Sequence, residues 1–162
     1  MSAVLPPDLL TGPGPAVALA VGDIDTYGCG AVVRRLPGAQ MRTLAGLYEV
    51  FAESWRFPTH FGHNKDAFDD VVGDLPVGLR TAAGAPATGF LTVIDDADQL
   101  LADADPNDFE WFADSGTHWR ERQARNGLGF GIVLVVPTEA AASAVAAHWE
   151  AADAPLIRLR QD

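Results

Sequence analysis

Two short, continuously apolar runs constrain the fold more than any other feature of the sequence. They are FLTVI at Phe90–Ile94 and GIVLVV at Gly131–Val136. A strand that is apolar at every position is buried on both faces, as is typical of parallel sheets. Stretches with helical periodicity alternate with these runs along the chain. The sequence therefore predicts an α/β layered fold with a small, mainly parallel β-sheet flanked by α-helices.

The N-terminal region predicts further strands. Residues 1–14 are rich in proline and glycine and predict a loose lead-in. Ala16–Val21 and Ala31–Arg35 are short and apolar enough for strands, and GDIDTYGCG between them reads as a turn region. These two strands could pair as a hairpin.

Helix signals dominate the middle of the chain. Apolar residues recur at helical spacing over Met41–Trp55, with Thr43 as the N-cap, and Pro58 ends that element. Asn64 is the predicted N-cap of a helix that runs to about Val72. Further predicted elements are a short helix at Asp98–Ala104, a helix from Asp105-Pro106 towards Arg125 with a break near Gly116, a helix at Glu139–Ala151 and an edge strand at Leu156–Leu159.

Length and charge limit the classes of protein to consider. The 162 residues suit a single domain, 1–162, with a proper core. The net charge of -11 argues against direct binding of nucleic acid or of anionic membranes, and it favours a basic partner. No apolar run is long enough to span a bilayer, and the first residues do not predict a signal peptide. A single cysteine, Cys29, precludes an internal disulfide and fits a reducing cytoplasm.

The stretch FGHNKDAFDDVVGDL, Phe61–Leu75, is the most unusual segment. On the predicted helix, apolar residues form a buried face and leave Asp66, Asp69 and Asp70 pointing outward, where like charges repel. Asp66 in the first turn complements the helix dipole, but that effect fades before Asp69 and Asp70. Two interpretations remain open, a solvated polar face and an acidic recognition surface.

The same segment, together with His60 immediately before it, holds the only candidate for chemistry in the sequence. His60, His63, Asp66 and Asp70 are residue types that bind divalent metals, although the histidines precede the helix and lack its fixed spacing. The glycine-rich GLGFG at Gly127–Gly131 precedes a strand instead of opening a helix, so it does not predict a phosphate-binding loop. The sequence predicts no cofactor.

The segment from Gly38 to Asp70, with FPTHFGHNKDAFDD at its centre, resembles the barstar family of intracellular ribonuclease inhibitors. The shared pattern is Pro58, an aromatic at Phe61, Gly-x-Asn-x-Asp-Ala and a second aspartate four residues after Asp66. Phe90–Ile94 looks like the family's middle strand. The stretch WRERQARNG leading into GIVLVV is similar to the family's last helix and strand. The resemblance covers roughly 31–136.

The resemblance implies a barstar-like fold whose acidic helix and preceding loop plug a ribonuclease active site. Asp66 and Asp70 match the two aspartates that stand in for substrate phosphates against the enzyme's cationic residues. His60 falls where the family has a tyrosine that stacks in that active site. Gly62 and Asn64 match the loop that shapes the plug, and Glu121 matches an acidic residue on the last helix.

Departures from the family pattern concern the plug and both ends of the chain. Asp69 replaces a tryptophan, His60 replaces the tyrosine and His63 replaces an acid, which suggests a different cognate enzyme. Residues 1–30 form an N-terminal extension that could add a strand, 31–136 the barstar-like core, and 137–162 a C-terminal helix and strand extension.

The leading hypothesis is a non-enzymatic, cytoplasmic, immunity- or antitoxin-like inhibitor of a basic ribonuclease or nuclease toxin. The predicted contacts are Asp66 and Asp70, helped by Asp69, His60, Gly62, Asn64 and Glu121. The alternatives are a metal-binding or hydrolytic site at His60, His63, Asp66 and Asp70, and an acidic interaction module for a partner that is not a nuclease.

Overall fold

The computed structural model describes residues 2–59, 61–75, 80–81 and 84–160. The strands are β1 (Ser2–Val4), β2 (Val17–Val21), β3 (Asp23–Asp25), β4 (Val32–Pro37), β5 (Gly89–Asp95), β6 (Gly129–Val136) and β7 (Ile157–Arg158). The α-helices are α1 (Leu44–Ser54), α2 (Lys65–Val72), α3 (Pro106–Arg125) and α4 (Glu139–Ala151). Single 3₁₀ turns occupy Gly38–Gln40 and Ala97–Gln99.

Five of the strands form one parallel sheet in the order β4-β5-β6-β2-β7. The remaining two, β1 and β3, pair with each other, also in parallel. The predicted α/β fold with a mainly parallel sheet is confirmed. The central strands β5 and β6 are the two apolar runs, and almost every residue in them is buried.

The predicted hairpin between the first two strands of the sheet is wrong. β2 pairs with β6 and β7, whereas β4 pairs with β5 at the far edge. The physical reason lies in the burial of β2, which is apolar along VALAV and covered on both faces. Such a strand suits the interior of a parallel sheet, whereas a hairpin strand usually has one solvated face. β2 is thus inserted within the sheet, and β7 is added at the edge.

All four helices contribute to one apolar core on a single face of the sheet. Consecutive crossovers from β4 to β5, β6 and β7 move in one direction, and right-handed connections then place their helices on the same side. Large aromatic side chains fill this core. The fully buried ones are Phe51, Phe68, Phe90, Phe112, Phe130, Trp119 and Trp149.

The opposite face of the sheet is covered by the N-terminal segment and by β1 and β3. Leu9 and Leu10 pack onto β6 at Gly129 and Gly131, where a Cβ added to either glycine would lie 2.8 or 2.9 Å from Leu10. The Phe130 amide donates to the Leu10 carbonyl at 3.0 Å. Gly129 and Gly131 therefore allow the close approach of the N-terminal segment.

Helix starts follow local signals closely. The side chains of Thr43, Asn64, Asp105 and Thr138 each accept a hydrogen bond from a backbone amide in the first turn of α1, α2, α3 and α4. The predicted break in α3 near Gly116 is absent, because that glycine packs in the helix against Val17. The predicted helix at Asp98–Ala104 is reduced to the 3₁₀ turn. In the ranges described, no helix combines the length and apolar character needed to cross a membrane.

Candidate functional site

The loop before α2 sets where that helix begins. Asn64 Oδ1 accepts from the Ala67 amide at 2.8 Å, so the predicted cap is confirmed. Asn64 Nδ2 also donates to the Gly62 carbonyl at 3.3 Å, and a Cβ on Gly62 would lie 3.1 Å from that nitrogen. His63 in this loop has a positive backbone angle, with φ 50°.

Aromatic side chains support the loop from beneath. Phe61 is buried against Tyr48, with ring centroids 5.7 Å apart, and the exposed His63 ring lies 4.8 Å from the Phe61 ring. His63 Nδ1 lies 3.0 Å from the Phe61 carbonyl oxygen, which can only accept, so Nδ1 carries the hydrogen. Burial raises the pKa of Tyr48, and the carboxylates of Asp108 and Asp69 raise it further. The loop is thus supported by the uncharged aromatic rings of Phe61 and Tyr48.

Asp66 and Asp70 occupy the exposed side of α2, one turn apart. Asp66 lies in the first turn, where the helix dipole favours negative charge, and within the described part of the chain it has no ion-pair partner. The Asp70 side chain is 80% exposed, and its Oδ1 lies 3.4 Å from Arg122 Nη1. Both carboxylates therefore remain available to an external cation.

Asp69 does not point outward, and this part of the prediction is wrong. It is half-buried, and its Oδ1 accepts from Trp119 Nε1–H at 2.8 Å. The neighbouring residue Phe68 is fully buried in the core. Asp69 therefore lies at the edge of the core, at the boundary between α2 and α3. Partial burial removes water from the Asp69 carboxylate, and the hydrogen bond from Trp119 on α3 compensates for that loss.

Three further contacts attach α2 to α3 along its length. At the N-terminal end, Lys65 Nζ lies 2.8 Å from Asp108. At the C-terminal end, Gln123 Nε2 donates to the Val72 carbonyl at 2.9 Å. Arg122 Nη1 donates to the Asp69 carbonyl at 3.0 Å, where a cation also complements the helix dipole. The eight-residue α2 is thus fixed on its inner side by packing and by hydrogen bonds.

Sequence reasoning missed these attachments, although a signal was present. Trp119, Arg122 and Gln123 follow an i, i+3, i+4 spacing, so they share one face of α3. That spacing marks a shared face but does not reveal which element the face contacts. Gly73, just after α2, leaves room for Arg122, since a Cβ there would lie 2.8 Å from the guanidinium.

Glu121 is exposed on α3, one residue before Arg122. Its carboxylate favours the charged form of Arg120. The Arg120 guanidinium donates to the carbonyls of Leu9 and Gly14 in the N-terminal segment. Burial lowers the pKa of Arg120, while the carboxylates of Glu121 and Asp8 act in the opposite direction. The assignment of Glu121 as a partner contact remains a prediction.

The metal hypothesis depends partly on His60, which lies outside the described residues. Among those that are described, no group of three His, Cys, Asp or Glu side chains is placed to hold a metal ion. His63, Asp66 and Asp70 therefore do not form such a group by themselves.

The comparison with protein families decides what kind of protein carries this helix. Residues 31–135 match the family described as Barstar (barnase inhibitor). The chain belongs to the barstar family. The match spans the elements from β4 to nearly the end of β6, so it includes the acidic helix, its loop and the α3 residues that hold it. No curated protein is significantly similar to the whole sequence.

Two solved structures are similar to the chain at low sequence identity. Cdc6p from Pyrobaculum aerophilum is 15% identical with a TM-score of 0.50 over 93% of the chain. The Aeropyrum pernix ORC2 protein is 14% identical with a TM-score of 0.42 over 80% of the chain. The chain spans only 41% and 33% of the lengths of these two proteins. At such identities the first likeness concerns the arrangement of strands and helices alone.

Proposed function

We propose that this barstar-family protein is a non-enzymatic inhibitor that occupies the active site of a basic ribonuclease or nuclease toxin with α2. One observation carries the proposal: Asp66 and Asp70 are exposed, one helical turn apart, on a helix whose opposite side is fixed to α3. Gly62 and Asn64 would shape the leading loop of the contact, and His60, at the position of the family's stacking tyrosine, would contact the partner. Glu121 adds a further acidic group.

The chemistry of a ribonuclease cleft supports this role for two carboxylates. Such a cleft presents cations arranged for a polyanionic substrate, and carboxylates at a fixed spacing satisfy the same donors. Charge-assisted hydrogen bonds made in a desolvated cleft are stronger than neutral ones. Since α2 is already ordered by its contacts with α3, little conformational freedom remains to be lost on binding.

The overall charge supports the same kind of partner. A net charge of -11 attracts a basic protein from a distance and accelerates their encounter. Asp66 and Asp70 repel each other across one turn in the unbound protein. Cations of the partner would relieve that repulsion, so part of the cost of placing both acids on α2 is recovered on binding. The single cysteine fits action in a reducing cytoplasm as an immunity or antitoxin protein.

The test is inhibition of RNA cleavage by barnase, titrated with the wild-type protein and with the double variant Asp66→Ala/Asp70→Ala. Each charged hydrogen bond is worth about 1.5–3 kcal/mol, so the double variant should inhibit at least about 100-fold less well. Thermal unfolding of both proteins checks that the fold is intact.

A matched control is available on α1. Glu49 and Glu53 are exposed and four residues apart, so Glu49→Ala/Glu53→Ala removes the same charge at the same spacing from another helix. This control should change inhibition by less than about threefold, through weaker long-range attraction alone. Equal losses in the two double variants would contradict the proposal, whereas absence of inhibition by the wild type would exclude this role for barnase-type enzymes.

A further inference from the structure

His63 is an exposed residue in the loop before α2, and its imidazole ring is held in one orientation. The ring lies 4.8 Å from the Phe61 ring and 6.4 Å from the Tyr48 ring. Its Nδ1–H donates to the Phe61 carbonyl oxygen at 3.0 Å. A neutral imidazole carries one hydrogen, so Nε2 is left as a hydrogen-bond acceptor. Within the described ranges of the chain, Nε2 has no partner.

The backbone of the loop supports the same orientation of the ring. His63 has φ 50°, a left-handed value that is uncommon for residues other than glycine. The next residue, Asn64, caps α2 and also donates to the Gly62 carbonyl, so hydrogen bonds fix the backbone on both sides of His63. Left-handed residues that are fixed in this way are concentrated at functional sites.

His63 lies close to the acidic side of α2. It precedes Asp66 by three residues, so the two Cα atoms are at most about 11 Å apart. Both side chains are exposed. A guanidinium group carries five N–H donors in a planar fork, so it can pair with a carboxylate and also donate to a second acceptor nearby. A neutral acceptor close to Asp66 therefore favours arginine over the compact ammonium group of lysine.

The charged groups around His63 leave Nε2 free to respond to the pH of the solution. Tyr48 of α1 is uncharged, because burial and the carboxylates of Asp108 and Asp69 raise its pKa. Lys65, the cation of α2, lies 2.8 Å from Asp108 and over the Trp111 ring. Among the described residues, no titratable side chain except Tyr48 forms a hydrogen bond, an ion pair or a ring contact with His63.

We propose that His63 Nε2 is a specificity-determining contact of α2, a neutral acceptor that binds a guanidinium group of the basic partner together with Asp66. This inference rests on the proposed function and names the chemical group that the partner presents. Histidine side chains change charge between about pH 5 and pH 8. Protonation of His63 turns the acceptor into a donor and adds a positive charge, so binding of the guanidinium weakens in mildly acidic solution.

The first measurement needs no partner. Long-range ¹H–¹⁵N correlation spectra of the full-length protein at about pH 7.5, above the usual range for histidine, distinguish the two neutral forms of the His63 ring. The form with its hydrogen on Nδ1 is expected. The form with its hydrogen on Nε2 would overturn the inference, because the acceptor would then be absent from the exposed side of the ring.

The second measurement uses two capped peptides as probes, tetra-arginine and tetra-lysine. Amide shifts of α2 in the full-length protein report their binding at about pH 7.5 and about pH 5.5, on either side of the usual histidine range. Tetra-arginine should bind about threefold to tenfold more weakly at the lower pH, the effect of losing one hydrogen bond. Tetra-lysine should bind more weakly at the higher pH and change less.

His63→Asn removes Nε2 while preserving the loop. Asparagine adopts left-handed backbone angles readily, and its Nδ2 can donate to the Phe61 carbonyl in place of the imidazole Nδ1. This variant should bind tetra-arginine at least about threefold more weakly than the wild type at the higher pH and about equally at the lower one. A merely structural role for His63 would weaken binding equally at both.

His118→Asn on α3 is the matched control. His118 is also exposed, and its substitution removes the same titrating charge from another element. This control should keep the wild-type dependence of tetra-arginine binding on pH, because long-range charge effects are screened by salt.

Four results with the peptides would overturn the inference. They are absence of tetra-arginine binding at α2, equal binding of the two peptides, a pH dependence that persists in His63→Asn, and a pH dependence that is lost in His60→Asn instead. None of these measurements involves a nuclease. Failure of this inference is therefore distinguishable from failure of the proposed inhibition, which the barnase assay tests.

Discussion

The aspartates of α2 divide into two kinds that differ in their surroundings rather than in their chemistry. Asp69 is half-buried and accepts a hydrogen bond from Trp119, whereas Asp66 and Asp70 are exposed on the outer side of the same helix. Adjacent residues on a helix point about 100° apart, so one residue position separates a carboxylate that holds the helix from one that faces solvent. An acidic cluster in a sequence can therefore contain both structural groups and groups available for binding.

The largest expected effect on stability comes from a substitution on the apolar side of α2. Phe68 is fully buried and contacts Tyr48, Phe51 and Trp111. Phe68→Ala should lower the free energy of unfolding by about 3–5 kcal/mol, because it removes buried area and leaves a cavity. Chemical denaturation measures the change. Asp66→Asn on the exposed side is the control and should cost less than about 1 kcal/mol; similar losses for the two variants would remove the distinction between the sides.

The next effect concerns Asp69 and separates its hydrogen bond from its charge. Asp69→Leu should cost about 1–3 kcal/mol of stability, because Trp119 Nε1–H loses its acceptor. Asp69→Asn keeps an oxygen that can accept this bond, so its stability should stay closer to that of the wild type. Denaturation curves of both variants check this order.

Binding of barnase by these variants distinguishes a residue that positions α2 from one that contacts the partner. If Asp69 positions α2, Asp69→Asn should keep most of the wild-type affinity, whereas Asp66→Asn should lose about tenfold or more. An equal loss for Asp69→Asn and Asp66→Asn, measured by titration calorimetry, would make Asp69 a direct contact of the partner instead.

A smaller effect is expected at Arg122, which contacts both kinds of aspartate. Arg122→Gln removes the cation near Asp70 and weakens the hydrogen bond to the Asp69 carbonyl. Stability should fall by about 1 kcal/mol, while association with a basic partner should become faster, since the surface is one charge more negative. Stopped-flow association at low and high salt measures this. A slower association at intact stability would show that Arg122 assists binding rather than shielding Asp70.

The smallest expected effect on stability concerns Asp23, an aspartate outside α2 that forms an ion pair with Arg35. The Ile24 amide and then Arg35 lower the pKa of Asp23 below its usual 3.8. A depressed pKa in the folded state contributes stability above pH 3.8 that is lost as the pH falls through the lower folded value. Because Asp23 is 53% exposed, the contribution should be below about 1 kcal/mol.

Asp23→Asn is the matched variant for this pH effect. The stability difference between wild type and variant should be constant near neutral pH and shrink in acid below pH 3.8. Denaturation midpoints recorded across that interval measure the difference. A difference that grows as the pH falls would contradict the sign of the pKa shift.

Several parts of the candidate site could be predicted because their causes are local. The Asn64 cap depends on an amide three residues away, and the exposure of Asp66 and Asp70 follows from helical periodicity around Phe68. The partner of Asp69 could not be predicted in this way, because Trp119 is 50 residues away in sequence. Tertiary packing brings the two residues together. The sequence alone does not identify which of the many hydrogen-bond donors on α3 pairs with the Asp69 carboxylate.

The same distinction holds for the whole molecule. The starts of the four α-helices, the buried strands β5 and β6 and the mainly parallel character of the sheet could be predicted from the residues alone, because capping and periodicity act over a few residues. The position of β2 between β6 and β7 and the placement of all four helices on one face could not. Backbone hydrogen bonding between apolar strands is much the same for any pair. The choice of neighbour therefore depends on how the connections and the two cores pack together.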